Sequence, residues 1–292
     1  MGSIRPPPVG LEDASEISVG LFNRSHKRMS TSYTGRFTDE SDAQHYENAE
    51  YAPGSYSNWI WELQRPYVQR EIETLSRQRT RTRLLDFACG TGRVLSFVEN
   101  LANESIGIDI SAEMLRLAAA KCRKSTLIEG NLTENPSLVD GPFDVVTMFR
   151  FILNAGPELS STILRILHPL LLAGHGRLIC NVHGNSCSLR RFALAAHRSG
   201  HSSRLTQPGE PPPMLEQMSP RQIKDLFRQT GYQVVSTYGF GLFPRICYRS
   251  AGSSIFTACD KIAAGNTWLK WVSTDLLFVC EAVSSGKSSG LT

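Results

Sequence analysis

Leu84-Leu85-Asp86-Phe87-Ala88-Cys89-Gly90-Thr91-Gly92-Arg93 is the stretch on which the fold of this chain turns. Its first half is a short, mostly apolar run that reads as a buried strand, and its glycines then break that run into a turn that opens a helix. Glycine there lets the backbone bend sharply and approach a ligand, while the first N–H groups of the helix behind it lack intrahelical partners. An ordinary tight turn and a dinucleotide-binding loop both carry such glycines. Asp86 separates the ligand classes: a carboxylate just ahead of the turn repels a pyrophosphate and suits a cationic or zwitterionic group.

Downstream, Ile106-Gly107-Ile108-Asp109-Ile110-Ser111 places a second acid at a second strand end, 23 residues after the first. There Asp109 can accept hydrogen bonds from ribose hydroxyls, or it can serve only to cap the helix that follows Ser111. Strands are predicted at 83–87, 105–109, 125–129, 143–149, 176–182, 232–238 and 274–281, with helices at 93–101, 112–121, 157–172 and 220–230. Such alternation is the sequence form of repeated βαβ units and a mostly parallel sheet. Ser111 and Ser219 suit helix N-caps, and Pro220 suits a first helical position. Ahead of the first strand, Trp59, Ile60, Leu63, Tyr67, Ile72 and Leu75 recur at helical spacing over 56–76, with Pro66 predicted as a kink or boundary.

With 41% hydrophobic and 20% charged residues, the 292-residue chain can bury one sizeable core. Its formal charge of +4 is spread along the sequence, unlike the clustered basicity of a nucleic-acid footprint. Cysteines 89, 122, 180, 187, 247, 259 and 280 form no CxxC pair, and their odd number fits poorly with a disulfide framework. A reducing, cytoplasmic setting is expected, with no membrane span, since no apolar run approaches the roughly 20 residues a spanning helix needs.

Taken together, these segments resemble the class I S-adenosylmethionine-dependent methyltransferases, and the small-molecule type in particular. Residues 84–98 match that family's glycine-loop motif and 106–114 its acidic strand end; 128–132, 143–149 and 171–182 follow in the family's order. The resemblance covers roughly residues 56–182 and extends more weakly to 231–238 and 274–281. It implies a three-layer α/β sandwich with a mostly parallel seven-stranded sheet whose last strand is antiparallel. It also implies an N-terminal helical lid over 43–80 and inserted cap segments at 184–218 and 240–272 on the acceptor side. The methyltransferase domain would span 43–282, between a mobile leader (1–42) and a flexible tail (283–292).

The same resemblance assigns S-adenosyl-L-methionine as cofactor. Asp86 with the Ala88, Cys89, Gly90, Thr91 and Gly92 backbone would hold its methionine part, and Asp109 its ribose. Ile110 and Met114 would flank the adenine, Asn131 and Leu132 would meet its edge, and Phe149 and Arg150 would close the pocket. Two positions depart from the family pattern. Ala88 stands at its first loop glycine, which is tolerable where no positive φ is needed. Asn131 stands at an acid, and its amide oxygen can still accept a hydrogen bond.

Methyl transfer from a sulfonium needs alignment and exclusion of water more than a covalent nucleophile. Where the acceptor must lose a proton, His183 is the first candidate base, because it follows the fifth strand at its ligand-facing end. A purely structural bond from His183 to the backbone or to Asn181 would explain it as well. His45 and Tyr46 are second candidates, from a segment that often folds over the cofactor in the resembling family. Arg150 can pair with an acceptor carboxylate or phosphate or form a structural ion pair. Trp59, Trp61, Tyr51, Tyr56, Phe240, Phe243 and Tyr248 can line an aromatic acceptor pocket, although aromatics are more often core.

The segment after the fourth strand lacks the Asn/Asp-Pro-Pro-Tyr motif of nucleic-acid amino-methylating enzymes, so a small-molecule acceptor is expected and nucleic acid is not. Three other readings stay open: a nicotinamide-dependent oxidoreductase, a cofactor-binding scaffold of different chemistry, and a macromolecule methyltransferase docking through Arg190, Arg191, Arg198 and Arg204.

Overall fold

The computed structural model describes residues 43–44, 47–48, 52, 54–191, 217–243, 247 and 253–283. The leader 1–42, the tail beyond Val283 and most of the 184–218 insertion lie outside the described residues, as do His45, Tyr46, Tyr51, Arg198, Arg204 and Tyr248.

Helix α1 (Tyr56–Ser76) begins where the Ser55 hydroxyl accepts from the Asn58 N–H at 3.1 Å. It buries Ile60, Trp61, Leu63, Val68, Ile72 and Leu75 on one stripe and runs uninterrupted through Pro66, correcting the expected boundary there. The cost of one missing backbone hydrogen bond is offset by the buried stripe, each large apolar side chain contributing roughly 1.5–3 kcal/mol. The chain then alternates through β1 (Arg83–Phe87), α2 (Leu95–Val98), β2 (Glu104–Asp109), α3 (Ala112–Lys121), β3 (Thr126–Glu129) and β4 (Val145–Phe149). It continues with α4 (Ile152–Leu167), β5 (Arg177–His183), α5 (Pro220–Gln229), β6 (Tyr232–Phe240), α6 (Ser253–Ala264) and β7 (Asp275–Ala282).

All seven predicted strands form, in the order β3-β2-β1-β4-β5-β7-β6. β7 pairs antiparallel with both β5 and β6, and the β1–β5 pairings are parallel. The helices differ more. α2 has four residues where nine were expected, and α4 starts earlier, kinks at Gly156 (φ 78°) and stops at Leu167. Pro169, in the 3₁₀ turn that follows, ends it before the predicted 172. Both predicted serine caps form, and Ser219 makes a reciprocal box with Gln222. The 240–272 segment contains α6, which the periodicity reading did not separate from loop.

Two apolar layers sandwich the sheet. On one face Phe143, Leu178, Phe278 and Leu276 pack with Ile163, Leu164, Leu167, Ile223 and Phe227 from α4 and α5. On the other, Leu84, Val145, Ile179 and Leu277 pack with α1, α2 and α3. Because β7 runs backwards, its first residue, Asp275, lies opposite the last residue of β5, His183. Strand ends from both halves of the sheet thereby meet at one rim.

Candidate functional site

A cleft of about 860 Å³, measured to its open mouth, lies over the ends of β1, β2 and β4. Phe87, Ile108, Phe151, Leu159 and Ile163 supply apolar walls, and Asp109, Ser111, Asn131, Thr133, Arg150 and Asn154 supply the polar ones. Among the residues singled out from sequence, Ala88, Gly90, Asp109, Ile110, Met114, Asn131, Leu132, Phe149 and Arg150 all line it. Asp86, Cys89, Thr91 and Gly92 do not. Cys89 and Thr91 are buried behind the turn, and a Cβ on Gly92 would stand 2.9 Å from Ala118 Cβ and Cys122 Sγ. That glycine serves close packing of the turn on α3.

Asp86 is 1% exposed at the end of β1. Its Oδ1 accepts from the Thr147 hydroxyl at 2.6 Å, and its Oδ2 is buried with no hydrogen-bond partner. Burial pushes its carboxyl up to about 7, against the opposing pull of the Thr147 bond and the Arg93 charge. An acid held half-satisfied in this way favours a cationic or ammonium neighbour on its open oxygen.

Asp109 has already been given work. Its Oδ2 accepts from the Gly90 N–H at 2.8 Å and its Oδ1 from the Ser111 N–H at 3.0 Å. Burial raises its pKa while these backbone bonds oppose the rise. Each carboxylate oxygen has a second lone pair, so the bonds to the turn leave room for hydroxyl donors.

Two residues here adopt left-handed backbone angles without being glycine: Ala88 at φ 53° and Arg150 at φ 58°. The position where glycine was expected therefore does require a positive φ, and alanine occupies it under strain of order 1 kcal/mol. Asn131 Oδ1 accepts from the N–H and the hydroxyl of Thr133, at 3.0 and 2.8 Å, and its Nδ2 donates to Glu134. Its amide thus holds its own loop first.

Over the glycine turn, Glu47 accepts from the Thr91 hydroxyl and pairs with Lys121. Through Glu47 the segment before α1 touches the turn; His45 and Tyr46 lie outside the described residues.

A second polar group sits at the rim beside the cleft. His183 is half-buried, its Nδ1 atom is buried with no hydrogen-bond partner, and desolvation followed by the Arg150 charge pushes it down to about 3. Held so, it is a weak base. Asp275 across the ladder is 6% exposed, and burial lifts its carboxyl to about 6 while Arg150 and Asn181 oppose the rise. The Tyr56 hydroxyl donates to Asp275 Oδ2 at a long 3.5 Å, and the Arg150 guanidinium donates to the Ser57 hydroxyl at 2.8 Å. Asp275 was not singled out from sequence; the one signal was an acid heading an otherwise apolar strand.

Two members of the expected aromatic pocket, Trp61 and Phe240, are core. Trp61 meets Phe97 and Phe149 edge-on, each at 5.6 Å, and Phe240 is 1% exposed against Tyr67. Trp59 donates to Thr257, and Phe243 stacks on Phe256. Tyr56 turns its polar end to Asp275 at the rim.

A family described as a methyltransferase domain matches residues 84–171. A methyltransferase-named protein of Geobacillus sp. (strain WCH70) is 33% identical over 125 residues, 40% of this chain and 48% of that protein. The chain thus spans about half the length of the curated relative it matches.

Residues 84–171 thus match a methyltransferase domain, and the seven-stranded sheet is the fold of the class I S-adenosylmethionine-dependent methyltransferases.

Solved structures agree on the family fold. Magnesium protoporphyrin IX methyltransferase from Synechocystis PCC 6803, with S-adenosylmethionine bound, aligns at TM-score 0.53 and 14% identity, covering 88% of this chain and 99% of that one. An S-adenosylmethionine-dependent methyltransferase from Clostridium acetobutylicum ATCC 824 aligns at 0.52 and 12% identity, covering 83% and 98%. A Haloferax volcanii methyltransferase-type chain, solved with the Trm112 activator, aligns at 0.51 and 16%, covering 86% and 98%. Among the described residues, no helix is long and apolar enough to cross a membrane.

Proposed function

We propose that this protein transfers a methyl group from S-adenosylmethionine to a small-molecule acceptor by in-line displacement. The observation that carries this reading is the pair of acids at adjacent strand ends, the buried Asp86 with one oxygen open and the half-buried Asp109 tied to the Gly90 turn, beside a largely apolar cleft. A ligand with a cationic end, a sugar and a flat base is what such a row of groups matches.

In this reading Asp86 and the turn from Ala88 to Gly92 take the methionine part and Asp109 the ribose hydroxyls. Ile110 and Met114 flank the base, Leu132 and the Asn131 backbone meet its edge, and Phe149 and Arg150 close the site. The bound sulfonium supplies an activated methyl group; the chain's part is to hold the acceptor in line and keep water out. Residues 184–191 and the β6–β7 connection border the rim and fall outside the family match, which suits acceptor selection there.

Calorimetry with S-adenosylmethionine, S-adenosylhomocysteine and NADH tests the reading. The first two should bind and NADH should not. Absence of S-adenosylmethionine binding would overturn it, and a 14-dalton gain in a product, seen by mass spectrometry and lost in Asp109→Ala, would separate catalysis from mere binding.

A further inference from the structure

Four elements bring polar residues to one point at the carboxyl rim: Arg150 follows β4, β5 brings Asn181 and His183, β7 brings Asp275, and α1 brings Tyr56. The end of β6 makes space for them, since a Cβ on Gly241 (φ 72°) would stand 2.3 Å from the Tyr56 hydroxyl. The Asn181 amide sits against Asp275 there, and the His183 Nδ1 atom is buried with no hydrogen-bond partner. Buried polar atoms are paired almost without exception, so a partnerless ring nitrogen beside a cleft-wall residue asks for a ligand. Arg150 joins the two regions: it lines the cleft, and its charge acts on both His183 and Asp275.

We propose that this rim cluster is the acceptor site, that the acceptor is an uncharged hydroxyl compound, and that Asp275 takes the hydroxyl proton. The proposal rests on the methyl-transfer reading above and adds the substrate class and the base.

Charge decides among acceptor classes. The groups facing Asp275 are Arg150 after β4, Arg190 from the turn after β5, Tyr56 and its neighbour Asp260, and the uncharged His183. The two arginines and two aspartates balance. A carboxylate acceptor would add a second anion beside a buried carboxylate, and a protonated amine would sit between two guanidiniums and have to shed a proton before it could react. A hydroxyl has one proton to give Asp275 and lone pairs for the Asn181 amide. In the transfer step the oxygen–methyl bond forms from an oxygen lone pair, the sulfur–methyl bond breaks with its pair left on sulfur, and the O–H proton passes to the Asp275 carboxylate. The carboxyl returns that proton to water after release.

His183 fits the first contact better than the proton. Its imidazole is held too weakly basic to serve at neutral pH, whereas a carboxyl raised to about 6 stands nearer the working range of a general base.

The test uses the full chain saturated with S-adenosylhomocysteine and phenol as probe, with benzoate and benzylamine as the charged comparisons. Carbon NMR of carboxyl-labelled aspartate, with the Asp275 resonance assigned by its loss in Asp275→Asn, should show that carboxyl titrating near pH 6 and shifting on addition of phenol. Benzoate and benzylamine should bind about tenfold more weakly. With labelled S-adenosylmethionine, Asp275→Asn should reduce transfer to phenol by about a hundredfold or more, and Asp275→Glu should restore part of it, while S-adenosylhomocysteine affinity stays within about twofold. Undisturbed cofactor binding with no phenol shift, a preference for benzoate or benzylamine, or full transfer by Asp275→Asn overturns the proposal. Loss of cofactor binding in the wild-type chain fails the methyl-transfer reading instead.

Discussion

The backbone N–H of Gly90 donates to Oδ2 of Asp109 at 2.8 Å, so a carboxylate on β2 holds the turn that leaves β1. The same residue's other oxygen starts α3 through Ser111. One acid thereby sets the relative position of two loops that share the cleft. Asp109→Ala should lower stability by about 2–3 kcal/mol, the range for a buried bond to a charged acceptor. It should also weaken S-adenosylmethionine binding at least about tenfold, because both ribose contact and turn geometry go. Denaturant melts and calorimetry measure the two effects separately, and Asp109→Asn should recover more of the first than of the second.

Asp86 makes binding depend on pH. Its carboxyl rises from an ordinary 3.8 to about 7 in the folded chain, so the folded state holds a proton that the unfolded state has lost across that window. Stability from this group is full below pH 3.8 and falls as pH rises to about 7. Asp86→Asn should therefore flatten the stability profile over that range in chemical denaturation. A cation placed on the open Oδ2 favours ionisation, so cofactor binding should release a proton and strengthen as pH passes upward through about 7. Calorimetry in buffers of differing ionisation enthalpy counts that proton; zero release at pH 6 would rule the linkage out.

Ala88 is strained where glycine would rest. Ala88→Gly should raise stability by at most about 0.5 kcal/mol, the relief of the φ 53° angle only modestly exceeding the added chain entropy of glycine. A denaturant midpoint at or below the wild-type value would contradict this.

Glu47 is the tether of the N-terminal segment to the turn. Glu47→Gln keeps the Thr91 bond and loses the ion pair with Lys121, while Glu47→Ala loses both. S-adenosylhomocysteine should dissociate faster in the order wild type, Gln, Ala, by about threefold to tenfold at the end of the series, since each step removes a modest, partly exposed contact. Stopped-flow displacement reads the rates.

The sheet was legible because its strands are short apolar runs with acids or glycines at their ends, and strand periodicity depends on little else. The α2 and α4 bounds were not, since a helix end is set by which backbone groups find partners, and Pro169 and the kink at Gly156 act over one or two residues. Asp86 and Asp109 could be read because a carboxylate in an apolar strand is costly without a reason. Asp275 could not, because its meaning comes from a neighbour 92 residues earlier, His183, which only the reversed β7 brings opposite it. The engaged side chain of Asn131 was equally hidden, for a short loop decides locally whether an amide faces a ligand or its own backbone.

The backward run of β7 has a consequence for how such a protein can change. β1 through β4 run in one direction within the stretch that carries the family match, and β5 runs parallel to them just beyond it. β7 delivers its first residue from the opposite direction, after a connection in which α6 is inserted. Substitution or lengthening of that connection re-aims Asp275 and the Gly241 corner without moving a single backbone bond of the glycine turn. Ancestry can thus be kept in one half of the sheet while the other is free to take up a new molecule.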